Sequence, residues 1–399
     1  MEDRAVEDIV ILSAVRTPIG AFQGALAGVA APELGARAIA AAVERAGLQP
    51  SDVDQVNMGC VLTAGVGQAP ARQAAIAAGC PTGVGALTVG KVCGSGMRAV
   101  MIGANDLRCG DFRVVVAGGM ESMSQAPYLV PGAREGLRLG HGRLIDSMTH
   151  DGLWDPYDQV AMGSCGEICA REYSFSREEQ DDFARESYRR ARAASEDGRA
   201  AREIAGVPVK QRKGDPKVVD VDEEPFRVDL ERMATLKPAF DPEGTITAAN
   251  ASKINDGAAA LVLTTAPHAE RLGRRPLARI VAHSSHAQEP KRFTTAPAKA
   301  VGGALARAGL SPADVDLWEV NEAFAVVALA FLRDLDLDPE RVNVRGGAVA
   351  LGHPIGASGA GILVTLLHAM AEGGDGLGCA AICIGGGEAT AMVVERLEG

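Results

Sequence analysis

A twelve-residue string occurs twice in the chain. "RAGLQPSDVDQV", Arg45–Val56, returns as "RAGLSPADVDLW", Arg307–Trp318, at an offset of 262 with eight of twelve positions identical. Each copy follows an alanine-rich helical stretch, "ARAIAAAVE" in one and "AKAVGGALA" in the other, and leads into a strand-like run. Other landmarks keep nearly the same offset. Ser95 maps to Ala357, next to Ser358, so "CGSG" and "GASG" occupy matching turns; "RVVVAGGMES" has its counterpart in "AAICIGGGEA" after a few inserted residues. Self-similarity of this length predicts two copies of one α/β unit. A pseudo-twofold axis between them brings equivalent turns face to face. The 399 residues suffice for two cores. With aromatics at 4% and 48 glycines, those cores must be built from Ala, Val and Ile, which suits layered α/β packing.

Between the copies, from about Ala126 to Ala249, the chain is richer in charge, Gly and Pro. Its one clear helix is "SREEQDDFARESYRRARAAS", where Ser176 and Glu179 form a capping box at the start. "VKQRKGDPKVVDVDEEPF" reads as loop and edge strand. This stretch is expected to be an inserted lobe over the first unit, a natural place for substrate-binding loops. The expected division is an N-terminal unit over 1–270, with the lobe at about 126–249, and a C-terminal unit over 271–399.

The net charge of -11 excludes nucleic acid as the main partner, since phosphate backbones need a basic surface. No apolar run reaches the ~18 residues of a membrane span. The start, "MEDRAVEDIVIL", is acidic and has no signal-peptide pattern, which points to the cytoplasm. Eight cysteines then read as free thiols, mostly small buried hydrophobes. The spacings Cys165-x3-Cys169 and Cys379-x3-Cys383 allow four zinc ligands, but one pair falls in a helical pattern and the other in a strand; no metal is expected.

Cys93 in "KVCGSGMRAV" follows a strand-like run, "GALTVGKV", and precedes a helical pattern. A thiol at a helix N-terminus meets free N–H groups and the positive end of the helix dipole, both of which lower its pKa. The flanking glycines admit a substrate. Cys93 therefore reads as a nucleophile, the alternative being a buried structural cysteine. In the mirrored turn, "GGAVALGHPIGASGAG", His353 lies two residues before the position equivalent to Cys93 and so faces it across the axis. A Cys–His pair is the base-activated arrangement. "CIGGGEA" ends an apolar strand at Cys383 with three glycines that expose backbone N–H groups. "WEVNEAFA" places Asn321 between strand and helix, to hold a water or donate to an oxyanion, or simply to cap the helix.

Taken in order, "RTPIGAFQG", "KVCGSGMRAV", "GGMESMSQAPY", "NASKINDGA", "NEAFA", "GGAVALGHPIGASGA" and "CIGGGEATAM" resemble the blocks of the thiolase family, from about Asp8 to Arg396. The pattern is nearest to the acetyl-CoA C-acetyltransferase branch. The resemblance implies the thiolase fold, an α/β architecture of two pseudo-twofold-related five-layer αβαβα units with the inserted loop lobe. It implies reversible Claisen condensation of two acetyl-CoA to acetoacetyl-CoA and CoA. In that chemistry Cys93 carries the acyl group, His353 activates it, and Cys383 is the second acid/base. Asn321 positions a water that forms one oxyanion hole with His353, and the N–H groups of Cys93 and Gly385 form the other. Leu153, Met162, Ala248, Ser252 and Phe324 match positions lining the pantetheine tunnel, and Arg227 one that meets the nucleotide end. Coenzyme A thioester is then substrate, with no separate cofactor.

The chemistry requires these residue types. A thiolate exchanges readily with a thioester, and the weakly acidic α-proton of a thioester needs a base and preorganised donors for its enolate. The resemblance also implies a homo-oligomer, dimer or tetramer, with "GQAPARQAA" near the subunit interfaces. Gly90, Ala161 and Arg345 depart from the usual pattern, which leaves acyl chain length open. "TAANAS" resembles potassium-responsive members, yet "EEPF" lacks the tyrosine expected there. Cys383 argues against decarboxylating synthases and "NEAFA" against lipid-transfer thiolases. A broad-range degradative 3-ketoacyl-CoA thiolase, with the same catalytic residues, is the alternative.

Overall fold

The computed structural model describes residues 7–397; the acidic start Met1–Val6 lies outside the described residues. Nine strands build the main sheet: β1 (Ile9–Arg16), β2 (Gln55–Gly59), β3 (Gly85–Val89), β4 (Val114–Ser122), β5 (Asn255–Thr265), β6 (Ala278–Ala287), β7 (Leu317–Val320), β8 (Leu377–Ile384) and β9 (Glu388–Arg396). They run in the order β7-β8-β9-β6-β1-β5-β4-β2-β3, and a two-residue strand, Gly20–Ala21, pairs with β5 as the tenth member. Every residue of β1, β4 and β5 is buried, because layers cover both faces.

The repeat is visible in this order. β2, β4, β5 and β1 of the first half correspond to β7, β8, β9 and β6 of the second. In both halves the parallel pair (β2 with β4, β7 with β8) lies on the outside and antiparallel strands lie toward the middle. The halves join where β1 meets β6 at only two pairs, Val10↔Arg279 and Ile11↔Ala278. β3 has no counterpart strand. The equivalent stretch of the second half forms a short helix, Ala348–Leu351, which leads into His353.

The major helices are α1 (Ala31–Arg45), α2 (Pro70–Ala77), α3 (Ser95–Cys109), α4 (Met162–Tyr173), α5 (Arg177–Glu196), α6 (Ala296–Ala308), α7 (Ala325–Leu335) and α8 (Ser358–Gly373). The five layers are α1 with α2, the first half-sheet, α3 with α8, the second half-sheet, and α6 with α7. The two units share the middle layer. Three separate apolar clusters fill the spaces: one under α1 and α2, one under α6 and α7, and one around α3 and α8. In the last, Met97, Met101, Leu363, Leu366 and Met370 are fully enclosed, each worth roughly 1.5–3 kcal/mol of burial.

α3 and α8 meet at their N-termini through glycines. A Cβ at Gly96 would lie 2.8 Å from Ala360 N, and one at Gly359 would lie 2.7 Å from Met97 N. No other residue allows that approach. The repeat thus brings two helix starts together, and the residues just before each start form the site.

The inserted stretch holds α4, α5, the antiparallel pair Val207–Val209 with Lys217–Val219, and several single-turn helices. α5 opens on the expected capping box: Glu179 N donates to Ser176 Oγ at 3.1 Å, and Ser176 N to Glu179 Oε2 at 2.7 Å. Among the described residues no helix is long and apolar enough to cross a membrane.

Candidate active site

Cys93 sits in a tight turn between β3 and α3. Val92, just before it, has φ +44°, a conformation unfavourable for a β-branched residue. Ser95 holds the turn from inside: Lys91 N donates to Ser95 Oγ at 2.8 Å, and Ser95 Oγ donates to Val92 O at 2.7 Å. A Cβ at Gly94 would press on the Ile384 side chain at the end of β8, which would have to shift. Lys91 pairs with Glu388 across the gap between the two turns.

The N–H groups of Gly385 and of Cys93 itself lie near the Cys93 sulfur and favour a thiolate. Burial outweighs them and pushes the thiol up to about 11. The helix start therefore does not lower this pKa below that of an ordinary thiol, contrary to the expectation from sequence; enclosure costs the anion more than the donors return. Cys383, wholly buried on β8, is raised further, by burial first and then by the neighbouring Cys93 thiol. Gly386 and Gly387 follow with φ +92° and +86°, which lets the turn aim Gly385 N–H at Cys93.

His353 is reached from the short helix Ala348–Leu351 through Gly352, whose φ of +107° places it against the Asn255 side chain. The His353 N–H donates to Asn255 Oδ1 at 2.9 Å. Its Nδ1 lies 2.7 Å from Ser358 Oγ, and Ser358 Oγ donates to Pro354 O at 2.9 Å. With its single proton so used, Ser358 accepts from Nδ1–H, an assignment that leaves the Nε2 lone pair free. Nε2 is indeed buried without a partner among the described residues. Burial lowers the imidazole to about 4, so it is neutral near pH 7.

Asn321 follows β7 and does not cap α7, which starts at Ala325 with Phe324 as its N-cap. It is 1% exposed, and its Nδ2 has no partner among the described residues. It lines a small inner cavity of about 50 Å3 with Glu319, Pro354, Ala357 and Ser358, beneath the His353 turn.

The remaining positions fall into connected groups. Leu153 packs with Cys93, Ile254 and Ile355 in one apolar cluster. Met162 and Phe324 share the cluster that contains Cys383, and a Cβ at Gly385 would lie 3.3 Å from Met162 Sδ. Arg227, Ala248 and Ser252 line an open cleft of about 500 Å3 together with Phe240, Lys253 and Ile254, a size suited to a small-molecule ligand. Ile254 ties this cleft to the Cys93 cluster, and Phe324 meets Phe240 edge-on with centroids 6.0 Å apart. His353 borders it through its N–H, 3.3 Å from Lys253 O. Arg227 stands exposed at the mouth.

Arg345, one of the departures from the family pattern, does not reach the cleft. It is 3% exposed and binds Glu203 at 3.0 Å and Glu372 at 2.7 Å, so it has no bearing on substrate length. Cys165, Cys169 and Cys379 are buried in the same apolar cluster as Cys383. Among the described residues no group of three or more His, Cys, Asp or Glu side chains is arranged to hold a metal ion.

Two supports escaped the sequence reading. Ser358 orients His353, whereas the sequence marks only its place in the repeat. Glu121, fully buried at the end of β4, accepts from Val61 N at 3.0 Å, Leu62 N at 3.2 Å and Gly356 N at 2.9 Å. It thereby clamps turns from both halves, and burial pushes its carboxyl up to about 7. A glutamate at the end of an otherwise apolar strand was the available signal.

The Thiolase, N-terminal domain family model matches residues 9–267, and the Thiolase, C-terminal domain model residues 274–396. The chain is 52% identical over 392 residues to an acetyl-CoA acetyltransferase of Pseudomonas aeruginosa, covering 98% of this chain and all of the other. It is 52% identical over 390 residues to that of Cupriavidus necator, covering 98% and 99%. Among solved structures, the Acat5 thiolase from Ascaris suum in complex with coenzyme A superposes with a TM-score of 0.93 at 45% identity, over 98% of this chain and 100% of that one. The Bacillus anthracis acetyl-CoA acetyltransferase superposes with a TM-score of 0.96 at 42% identity, over 99% and 100%. With both domain models accounting for nearly the whole chain, and half of its residues shared with full-length relatives, the chain belongs to the thiolase family.

Proposed function

We propose that the chain catalyses the reversible Claisen condensation of two acetyl-CoA to acetoacetyl-CoA and CoA. The observation that carries this reading is the pair of neighbouring thiols, half-buried Cys93 and fully buried Cys383, with the Gly385 N–H beside Cys93 and a cleft of about 500 Å3 that meets the Cys93 cluster through Ile254. The relatives named acetyl-CoA acetyltransferase, and the coenzyme A bound to the Ascaris suum thiolase, support the substrate class.

In the proposed cycle His353 Nε2 takes the Cys93 proton as Sγ attacks the thioester carbonyl. The C–S bond to CoA breaks, and the departing CoA sulfur takes the Cys383 proton, which leaves Cys383 a thiolate beside the His353 imidazolium. A second acetyl-CoA enters, and Cys383 removes a proton from its methyl group. The resulting enolate, held by His353 and a water on Asn321, attacks the acetyl carbon on Cys93. A C–C bond forms, the acyl–Cys93 bond breaks, and the proton held on His353 passes back to the Cys93 sulfur, so both thiols and the imidazole end neutral. The N–H groups of Cys93 and Gly385 receive the developing oxyanion. Because the free thiol lies near 11 and the free imidazole near 4, both are neutral before substrate binds, and the proton moves only as the thioester carbonyl accepts charge.

Arg227 at the cleft mouth suits the phosphates of coenzyme A, and Leu153, Met162, Ala248, Ser252 and Phe324 the pantetheine arm. The chain is proposed to form a homo-oligomer. Among the described residues the outer edge of β3 has no partner strand and carries Leu87 at 42% exposure, while the 126–146 stretch presents Tyr128, Leu139 and Leu144 to solvent. Two such surfaces fit a dimer of dimers. Eight free cysteines suit a reducing compartment such as the cytoplasm.

The test is CoA-dependent cleavage of acetoacetyl-CoA against 3-ketohexanoyl-CoA and 3-ketodecanoyl-CoA. Strong preference for the four-carbon substrate is expected. Equal rates on the longer chains would move the enzyme to the broad-range degradative class.

A further inference from the structure

Lys253 is a partly buried lysine whose ammonium forms no ion pair among the described residues. Its Nζ donates to two main-chain carbonyls, Ala251 O at 2.7 Å and Val349 O at 3.2 Å, and stands 5.6 Å from the centroid of the Tyr188 ring. Carbonyl oxygens and an aromatic face are what a weakly hydrated monovalent cation receives inside a protein. Two buried carboxylates, Glu224 and Glu322, raise the Lys253 pKa without touching its nitrogen; burial outweighs them and lowers it to about 8. Glu322 is itself occupied by Ser187, Asn343 and Val349 N–H.

The two carbonyls belong to different parts of the site. Ala251 is in the cleft wall between Ala248 and Ser252. Val349 is in the short helix that passes through Gly352 to His353. The backbone of Lys253 makes a third link, since its carbonyl receives the His353 N–H. With a neutral, apolar side chain at 253, the Ala251 and Val349 oxygens would converge with no donor between them, and the cleft wall would lose its tie to the His353 turn.

We propose that the Lys253 ammonium acts as a built-in monovalent cation, a positioning residue that joins the acyl-CoA cleft wall to the turn carrying His353 and makes the enzyme independent of free monovalent cations. The inference rests on the cleft and His353 serving as described above.

The experiment compares wild type with Lys253→Met in choline, potassium and ammonium chloride at constant ionic strength. It reads acetoacetyl-CoA thiolysis and, separately, the melting temperature. Wild type should give the same kcat in all three salts. Lys253→Met should lose about tenfold or more in kcat in choline and regain most of it in ammonium or potassium, with the melting temperature rising in the same salts. Should Lys253→Met not fold, Lys253→Gln, which keeps an NH2 group as donor but no charge, should show the same salt response. Wild-type rates in choline for the variants, a loss that neither cation restores, or a wild type that needs potassium would each overturn the proposal. A wild type without thiolysis would sink the functional reading alone, since the melting response still decides the role of Lys253.

Discussion

At the scale of single residues, the site is made of groups whose chemistry burial sets. Cys93 is held near 11 despite two amide donors. Its thiolate fraction should therefore grow about tenfold per pH unit from 7 to 10. Inactivation by iodoacetamide, followed against pH, is expected to rise in step, and a plateau below pH 8 would show the thiol to be already ionised by His353. Division of labour between the thiols is equally open to test. Cys93→Ser should form no acetyl-enzyme, whereas Cys383→Ser should acetylate from acetyl-CoA yet fail to condense, as mass spectrometry and coupled assay would report. Ser358→Ala removes the partner of His353 Nδ1. We expect kcat to fall about tenfold or more with KM little changed; an unaltered kcat would mean that the ring keeps its orientation without a partner on Nδ1.

At the scale of elements, the decisive contact is between the N-termini of α3 and α8. Their glycines bring the Cys93 and His353 turns within reach of each other, and Glu121 clamps the loops behind them. Gly359→Ala puts a methyl 2.7 Å from Met97 N, where the opposing atom is backbone and has little freedom to yield. Denaturant melts should show a loss of about 1–3 kcal/mol, with a fall in turnover as the two turns separate. Repeat units that pack through bulkier residues would hold the Cys93 and His353 turns further apart.

At the scale of the whole molecule, one buried ionic network joins the inserted lobe to both halves. Arg16 of β1 binds Glu203 at 2.7 Å and Asp222 at 2.7 Å, and Arg345 from the second half binds Glu203 at 3.0 Å. Arg16 is 4% exposed and the two carboxylates 1% and 2%. Removing the shared cation leaves Asp222 enclosed without its partner, so Arg16→Ala should cost about 3–5 kcal/mol in a chemical-denaturation experiment. Assembly is the other property at this scale. A charge on the open edge of β3, Leu87→Asp, should reduce the particle mass measured by light scattering while leaving the far-ultraviolet circular dichroism unchanged.

The repeat at offset 262, the strand–turn–helix around Cys93, the mirrored turn with His353 and the capping box of α5 were all legible in the amino-acid sequence, because each depends on local spacing and on residue types that tolerate few conformations. So was the set of blocks that marks the family. The strain at Val92, the proton arrangement on His353 and the raised pKa of Cys93 were not, because they depend on what encloses each group. Nor was it legible that Arg345 belongs to an ion network away from the cleft, that β3 has a helix for its counterpart, or that Lys253 bridges two carbonyls 98 residues apart in the chain. Local sequence determined which pieces form and where their reactive groups sit within them. Only the packing of one half against the other decided how far those groups are removed from water, and desolvation governs their charge.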